Sequence, residues 1–202
     1  MPAIRPAVRL TGILLAAGRG ARFGGAKLLA PMPAAAHGVG AGTAIGVASC
    51  MHLIAALPEV VAVVRPGDSI LAGLLRAAGA QVVACARADE GMGASLACGV
   101  VTAAQADGWI VALADMPWID PASIAQVADA VRDGSEIAAT THIGVRGHPV
   151  GFARRHYAAL SGLGGDEGAI SILAAHRDAL RLIEVADSGV LRDVDTRADI
   201  GA

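Results

Sequence analysis

The sequence predicts an α/β fold: a Rossmann-like, three-layer α/β/α domain with a mostly parallel sheet and a small antiparallel excursion. Three observations carry that expectation. Short apolar runs alternate with stretches of helical spacing, as in chains that return repeatedly to one buried sheet. Hydrophobic residues make up 54% and charged residues 17%, too apolar for a disordered chain. Aromatics are only 2%, so the core must be aliphatic. At 202 residues the chain is long enough for one domain of ordinary size, and no linker or internal repeat divides it, so residues 1–202 read as a single domain.

Taken in order, the first strand is Val8 to Leu15, an apolar run broken by the glycine-rich stretch that follows. Thr43 to Leu57 has helical spacing and leads to a second strand at Val60 to Val64. A helix at Asp68 to Ala78 precedes a short strand at Gln81 to Ala84, and a helix at Gly93 to Ala106 precedes a strand at Trp109 to Leu113. Asp120 before Pro121 is a helix start, an N-cap carboxylate ahead of a proline at the first helical position, and the helix runs to Arg132. From Thr140 to Phe152, Gly144, Gly147 and Pro149 stand among β-favouring residues, which predicts an antiparallel excursion at the sheet edge. Asp166 and Glu167 then open another short helix, and Val190 to Val194 reads as a short strand.

Charge and cysteine content exclude several function classes. A net charge of −2 provides no basic field for a polynucleotide, and Phe23, Trp109, Trp118, Phe152 and Tyr157 are scattered rather than arrayed. Cys50, Cys85 and Cys98 are odd in number and form no Cys-x-x-Cys pair, which fits a reducing cytoplasm and neither a disulfide framework nor a zinc site. Two segments imitate targeting or membrane signals. Arg5 and Arg9 precede the run Leu10 to Ala17, but Gly-Arg-Gly-Ala-Arg follows at once; the uncharged stretch Pro31 to Pro58 carries His37, His52 and many glycines. Neither is expected to enter a membrane.

The chemistry-bearing segments begin where the first strand ends. Ala16 to Lys27 reads Ala-Ala-Gly-Arg-Gly-Ala-Arg-Phe-Gly-Gly-Ala-Lys, in which glycines let backbone N–H groups approach phosphate oxygens and Arg19, Arg22 and Lys27 add charge. It is not a Walker A loop, because Gly-Lys-Ser/Thr is missing, and an ordinary βα turn with solvated arginines is the plainer alternative. Asp115 follows the strand Trp109 to Leu113 directly, at the sheet edge where ligands collect in open parallel sheets, and could meet Mg²⁺ between triphosphate oxygens. Capping the turn before Pro117 is its plainer role. Asp193 and Asp195, two positions apart, would share one strand face and invite a metal, or belong to a solvated chain end.

These segments together resemble the molybdenum-cofactor nucleotidyltransferases, a branch of the larger group of sugar-phosphate and isoprenoid nucleotidyltransferases. The likeness rests on Leu15 to Lys27, Leu113-Ala-Asp-Met-Pro117, Arg146-Gly-His-Pro-Val150 and Asp193-Val-Asp-Thr196. The first two are shared by the wider group, whereas Gly-His-Pro with Asp-x-Asp-Thr resembles the cytidylyl branch. The resemblance implies a nucleotide site at Leu15, Ala16, Ala17, Gly18, Arg19, Gly20 and Lys27, with Ser95 helping to seat the base. It implies that Lys27, Arg22 and Asp115 serve catalysis, that Asp115 and Asp195 bind Mg²⁺, and that Gly147, His148 and Asp193 face the acceptor.

The implied reaction joins CTP to the terminal phosphate of molybdopterin and releases pyrophosphate. Ala17 stands where the guanylyl branch usually has glycine, which favours CTP over GTP. A molybdenum hydroxylase is the partner that would use the product. The rivals are the same chemistry with GTP or a sugar phosphate, and a non-catalytic module that delivers finished cofactor. Two places depart from the family's pattern: the stretch Pro31 to Thr43, where relatives have a short turn, and Arg197, where proline is usual.

Overall fold

A computed structural model describes residues 8–200. Arg5, half of the N-terminal cationic pair noted above, lies outside them. The strands are β1 (Leu10–Leu15), β2 (Glu59–Val64), β3 (Gln81–Ala84), β4 (Gly108–Leu113), β5 (Ile137–His142), β6 (Val145–Ala153) and β7 (Leu180–Glu184). The α-helices are α1 (Ile45–Ala56), α2 (Ser69–Ala77), α3 (Met92–Thr102), α4 (Pro121–Arg132), α5 (Tyr157–Ser161) and α6 (Ile170–Ala175). One seven-stranded sheet runs β3-β2-β1-β4-β6-β5-β7, with β6 antiparallel to both neighbours and the remaining pairs parallel.

Alternation along the strands divides the core between two faces. Leu10, Leu14, Ile110 and Ala112 pack under α1, α2 and α4 through Leu53, Leu75 and Val127. Ile13, Val61, Trp109 and Val111 point the other way, under α3, α5 and α6 through Leu96, Leu160 and Leu173. The three-layer α/β/α expectation therefore holds. Asp120 caps α4 as its sequence implies, accepting from the Ala122 amide at 2.8 Å. Among the described residues, no helix is long and apolar enough to cross a membrane.

Three expectations need correction. The antiparallel excursion is not at the edge: β6 lies inside the sheet between β4 and β5, and the edge belongs to β7, a strand the sequence did not announce because only two of its five positions are even partly buried. The helix expected from Asp166 begins at Ile170, since the preceding backbone packs on the start of α3, where the Gly93 amide donates to the Gly165 carbonyl at 2.8 Å. Val190 to Val194 is not a strand. A 3-10 turn spans Ser188–Leu191 and irregular backbone follows, so strand alternation is not what relates Asp193 to Asp195.

Candidate active site

β1 and β4 are hydrogen-bonded neighbours, with Leu15 opposite Leu113, although the chain visits β2 and β3 between them. The strand order reverses here, and the loops leaving both strands open the crevice typical of such a switch point. Gly20, at φ 59, admits the left-handed turn that starts the loop, and Phe23 is buried as its anchor. Lys27 then begins a second 3-10 turn with its side chain directed inward, only 12% exposed.

That geometry gathers three distant segments around one ammonium group. Lys27 Nζ lies 2.7 Å from Asp115 Oδ2 and 3.8 Å from Asp195 Oδ1, while Arg22 Nη1 lies 2.7 Å from Asp195 Oδ2. The C-terminal segment is held there by backbone: the Val194 amide donates to the Asp115 carbonyl at 2.9 Å. Below, the Ser49 hydroxyl donates to the Ala114 carbonyl at 2.9 Å. Asp115 and Asp195, both partly exposed, thus converge on the same cation. Two carboxylates in reach of one point form a hard oxygen donor set of the kind Mg²⁺ or Mn²⁺ accepts together with phosphate oxygens and water.

One cleft reaches this cluster, and a second adjoins the first at Leu15, Met92, Leu113 and Asp166. One, of about 330 Å³, runs from Ala17, Gly18 and Arg19 past Lys27 and Asp115 to Ser95. Of the residues expected to bind nucleotide, Leu15, Ala17, Gly18 and Arg19 line it; Ala16 and Gly20 line a larger hollow of about 510 Å³ on the α2 side of the loop. Ser95 is buried in the first turn of α3, and its hydroxyl donates back to the Gly91 carbonyl at 3.4 Å. The other cleft, of about 260 Å³, has apolar walls from Leu96, Val111 and Phe152, with Arg146, His148, Asp166 and Glu167 at its polar positions.

The residues expected to face the acceptor divide. His148 lines the apolar cleft, with its Nδ1 buried and unpartnered, and burial holds the ring below the usual histidine range. Gly147 borders the same cleft, but it has a packing reason to be glycine: a Cβ would sit 2.3 Å from the Val190 carbonyl oxygen. Asp193 lines neither cleft and stays largely exposed; partial desolvation of its carboxyl, followed by the charge of Asp195, holds it above the usual range.

Sequence reasoning missed Arg65, Asp89 and Asp166. Arg65 follows β2, borders the cleft that runs from Ala17 to Ser95, and both contacts Asp89 and lies 3.5 Å from the Ala17 carbonyl. Asp89 in turn accepts from Arg19 at 2.8 Å, so it spans the cleft mouth. Arg65 carried the same signal as Asp115, a charge directly after a buried parallel strand. Asp89 lies on a short 3-10 turn and Asp166 on irregular backbone, with no pattern to mark either.

Known proteins share this architecture. The model of the MobA-like NTP transferase domain matches residues 12–180. A curated relative, the purine catabolism protein PucB of Bacillus subtilis, is 29% identical over 93% of this chain and 92% of its own length. The crystal structure of Rv0371c from Mycobacterium tuberculosis superposes with a TM-score of 0.78 at 29% identity, covering 96% of each chain. A manganese complex of Rv0371c has a TM-score of 0.72 at 27% identity, covering 95% of this chain and 96% of that one.

Proposed function

The chain belongs to the MobA-like NTP transferase domain family, and from that premise we propose that it transfers CMP from CTP to the terminal phosphate of molybdopterin with Mg²⁺ bound. The observation that carries the reading is the convergence of Lys27 with Asp115 and Asp195 beside the glycine-rich loop. The acceptor phosphate is already an anionic nucleophile, so no general base is needed. Its oxygen forms a bond to the α-phosphorus of CTP, the bond from that phosphorus to the bridging oxygen breaks, and pyrophosphate leaves with the electron pair. The protein's contribution is alignment and charge.

Within that reading the loop from Ala16 to Lys27 holds the triphosphate, and Lys27 and Arg22 offset the charge that accumulates on the leaving pyrophosphate. Asp115 and Asp195 would hold the metal, which neutralises phosphate charge when bound; a manganese complex of the related Rv0371c supports a divalent-cation site. Ala17, buried just after β1, leaves little room beside the base and would favour cytosine, with Ser95 lining the same cleft. The apolar cleft at His148 suits the flat body of a pterin, and Arg146 suits a phosphate. A cytoplasmic location belongs to the same proposal. So does a molybdenum hydroxylase as recipient of the product, and the relative's purine-catabolism name supports a recipient that acts on purines.

The test is a panel of CTP, GTP, UTP and ATP with molybdopterin and Mg²⁺, scored for pyrophosphate and for product mass. CTP should be the preferred donor, and Ala17→Gly should raise use of GTP relative to CTP. A wild-type preference for GTP, or an unchanged ratio in the variant, refutes the base assignment.

A further inference from the structure

The segment from Pro31 to Thr43, which departs from the family's pattern, has no place in the chemistry above. It is nevertheless ordered by its own bonds. The Met32 amide donates to the Thr43 carbonyl at 2.8 Å, the Gly42 amide to the Met32 carbonyl at 2.9 Å, and Ala36 and Val39 exchange backbone hydrogen bonds at 2.9 and 2.8 Å. Its apolar side chains Met32 and Val39 are buried in a small separate cluster with Phe23, Ile45, Ala48 and Val194. Phe23 follows Arg22 and Val194 precedes Asp195, so the segment forms the floor under both halves of the Arg22–Asp195 pair.

The exposed side chain of His37 also ties this floor to the loop after β4. His37 places Nε2 3.1 Å from the Trp118 carbonyl oxygen and Nδ1 3.5 Å from Asp120 Oδ2, and both partners lie on the loop that carries Asp115. Its ring meets His52 edge-on at 5.5 Å between centroids, and His52 Nε2 lies 3.2 Å from the Ala36 carbonyl oxygen, back in the same segment. His37 also has φ of 46, a left-handed backbone that a non-glycine residue keeps only where its surroundings hold it.

We infer that His37 is a positioning residue: by pinning residues 31–43 to the loop after Asp115, it fixes Phe23 and Val194 and so sets the Arg22–Asp195 pair against Lys27. The inference rests on the reading of Asp115 and Asp195 as metal ligands only for its effect on metal affinity. Its effect on the backbone stands apart from that reading. A loop that merely covers the surface would instead leave residues 22–24 and 194–196 unaffected when His37 is changed.

The experiment compares full-length wild type, His37→Leu, His37→Gln and Asp195→Asn by amide hydrogen exchange and by Mn²⁺ binding in the presence of CTP, followed by electron paramagnetic resonance. In His37→Leu, exchange should accelerate at residues 22–24 and 194–196, including the Val194 amide, with β1 and β4 unchanged. Mn²⁺ affinity should fall about tenfold, the lower end of the loss seen when support for metal ligands is removed. His37→Gln, whose amide can still donate to the Trp118 carbonyl, should restore both. Unchanged exchange in those two regions of His37→Leu overturns the inference. Faster exchange there, with Mn²⁺ affinity untouched by Asp195→Asn, supports the positioning role and removes the metal assignment instead. Should His37→Leu lose protection throughout the chain, His37→Asn, too short to reach Trp118, replaces it and is read in the same two regions.

Discussion

Lys27 combines the properties expected of a group that meets developing charge: it is largely buried, held by two carboxylates, and fixed at the end of a loop whose conformation glycine sets. Lys27→Ala should cost about 2 to 4 kcal/mol of transition-state stabilisation, the scale for one preorganised contact to accumulating charge, and steady-state kinetics at saturating CTP would check it. Asp193 should behave differently from its neighbour. Its carboxyl is held above the usual range, so its ionisation opposes folding; that penalty is absent below the ordinary carboxylate pKa and grows as pH rises through the raised one. Asp193→Asn should therefore raise the melting temperature at pH 7 and leave it unchanged near pH 3, whereas a loss of stability at pH 7 would contradict the cause assigned. Lys27 and Asp115 could be picked out in the sequence because each ends a recognisable pattern, a glycine-rich run or a buried strand. Arg65 ends such a strand too, yet its contact with Asp89 depends on how α3 is approached, which no local pattern records.

At the level of elements, β6 decides the geometry of the apolar cleft. It enters the sheet beside β4, which puts Arg146 and His148 at the same edge as Asp115, and the Ser188–Leu191 turn packs against it at Gly147. Gly147→Ala would drive a methyl group into the Val190 carbonyl and should cost about 1 to 3 kcal/mol, as overpacking generally does, with a further loss of turnover because the turn leads into Asp195. Denaturant unfolding and kinetics on the same variant would separate the two effects. In the parallel half of the sheet β1, β2 and β4 were legible because they are buried on both faces and read as continuous apolar runs, whereas β3 is only partly buried. The antiparallel half was legible as strands but not as an interior position: alternation reports which face of a strand is covered, not which strand lies beside it. For β7, with most positions exposed, even the strand signal was lost, and the irregular path through Asp195 imitated one.

Across the whole molecule, His52, His148 and His156 are all held below the usual histidine range, in each case chiefly by burial. The neutral rings contribute stability that is present above the ordinary value of 6.5 and is lost as pH falls through the lowered values, because the unfolded chain then binds protons the native one does not. The melting temperature should drop between pH 7 and 5, and His156→Gln should soften the drop; a flat profile would contradict it. The architecture was legible at this scale because alternation of short strands and helices admits few arrangements. The convergence of three segments on Lys27 is a property of the closed fold, which the sequence could suggest only through family likeness. The most direct test of the account is a crystal structure of the full chain with CTP and Mn²⁺, with the metal located by anomalous scattering. One Mn²⁺ should be held by oxygens of Asp115 and Asp195 and by triphosphate oxygens, at about the 2.1 Å that a small hard divalent cation keeps to oxygen, with Lys27 turned to the phosphates. Metal and triphosphate bound elsewhere, with the Lys27–Asp115 pair undisturbed, would contradict it.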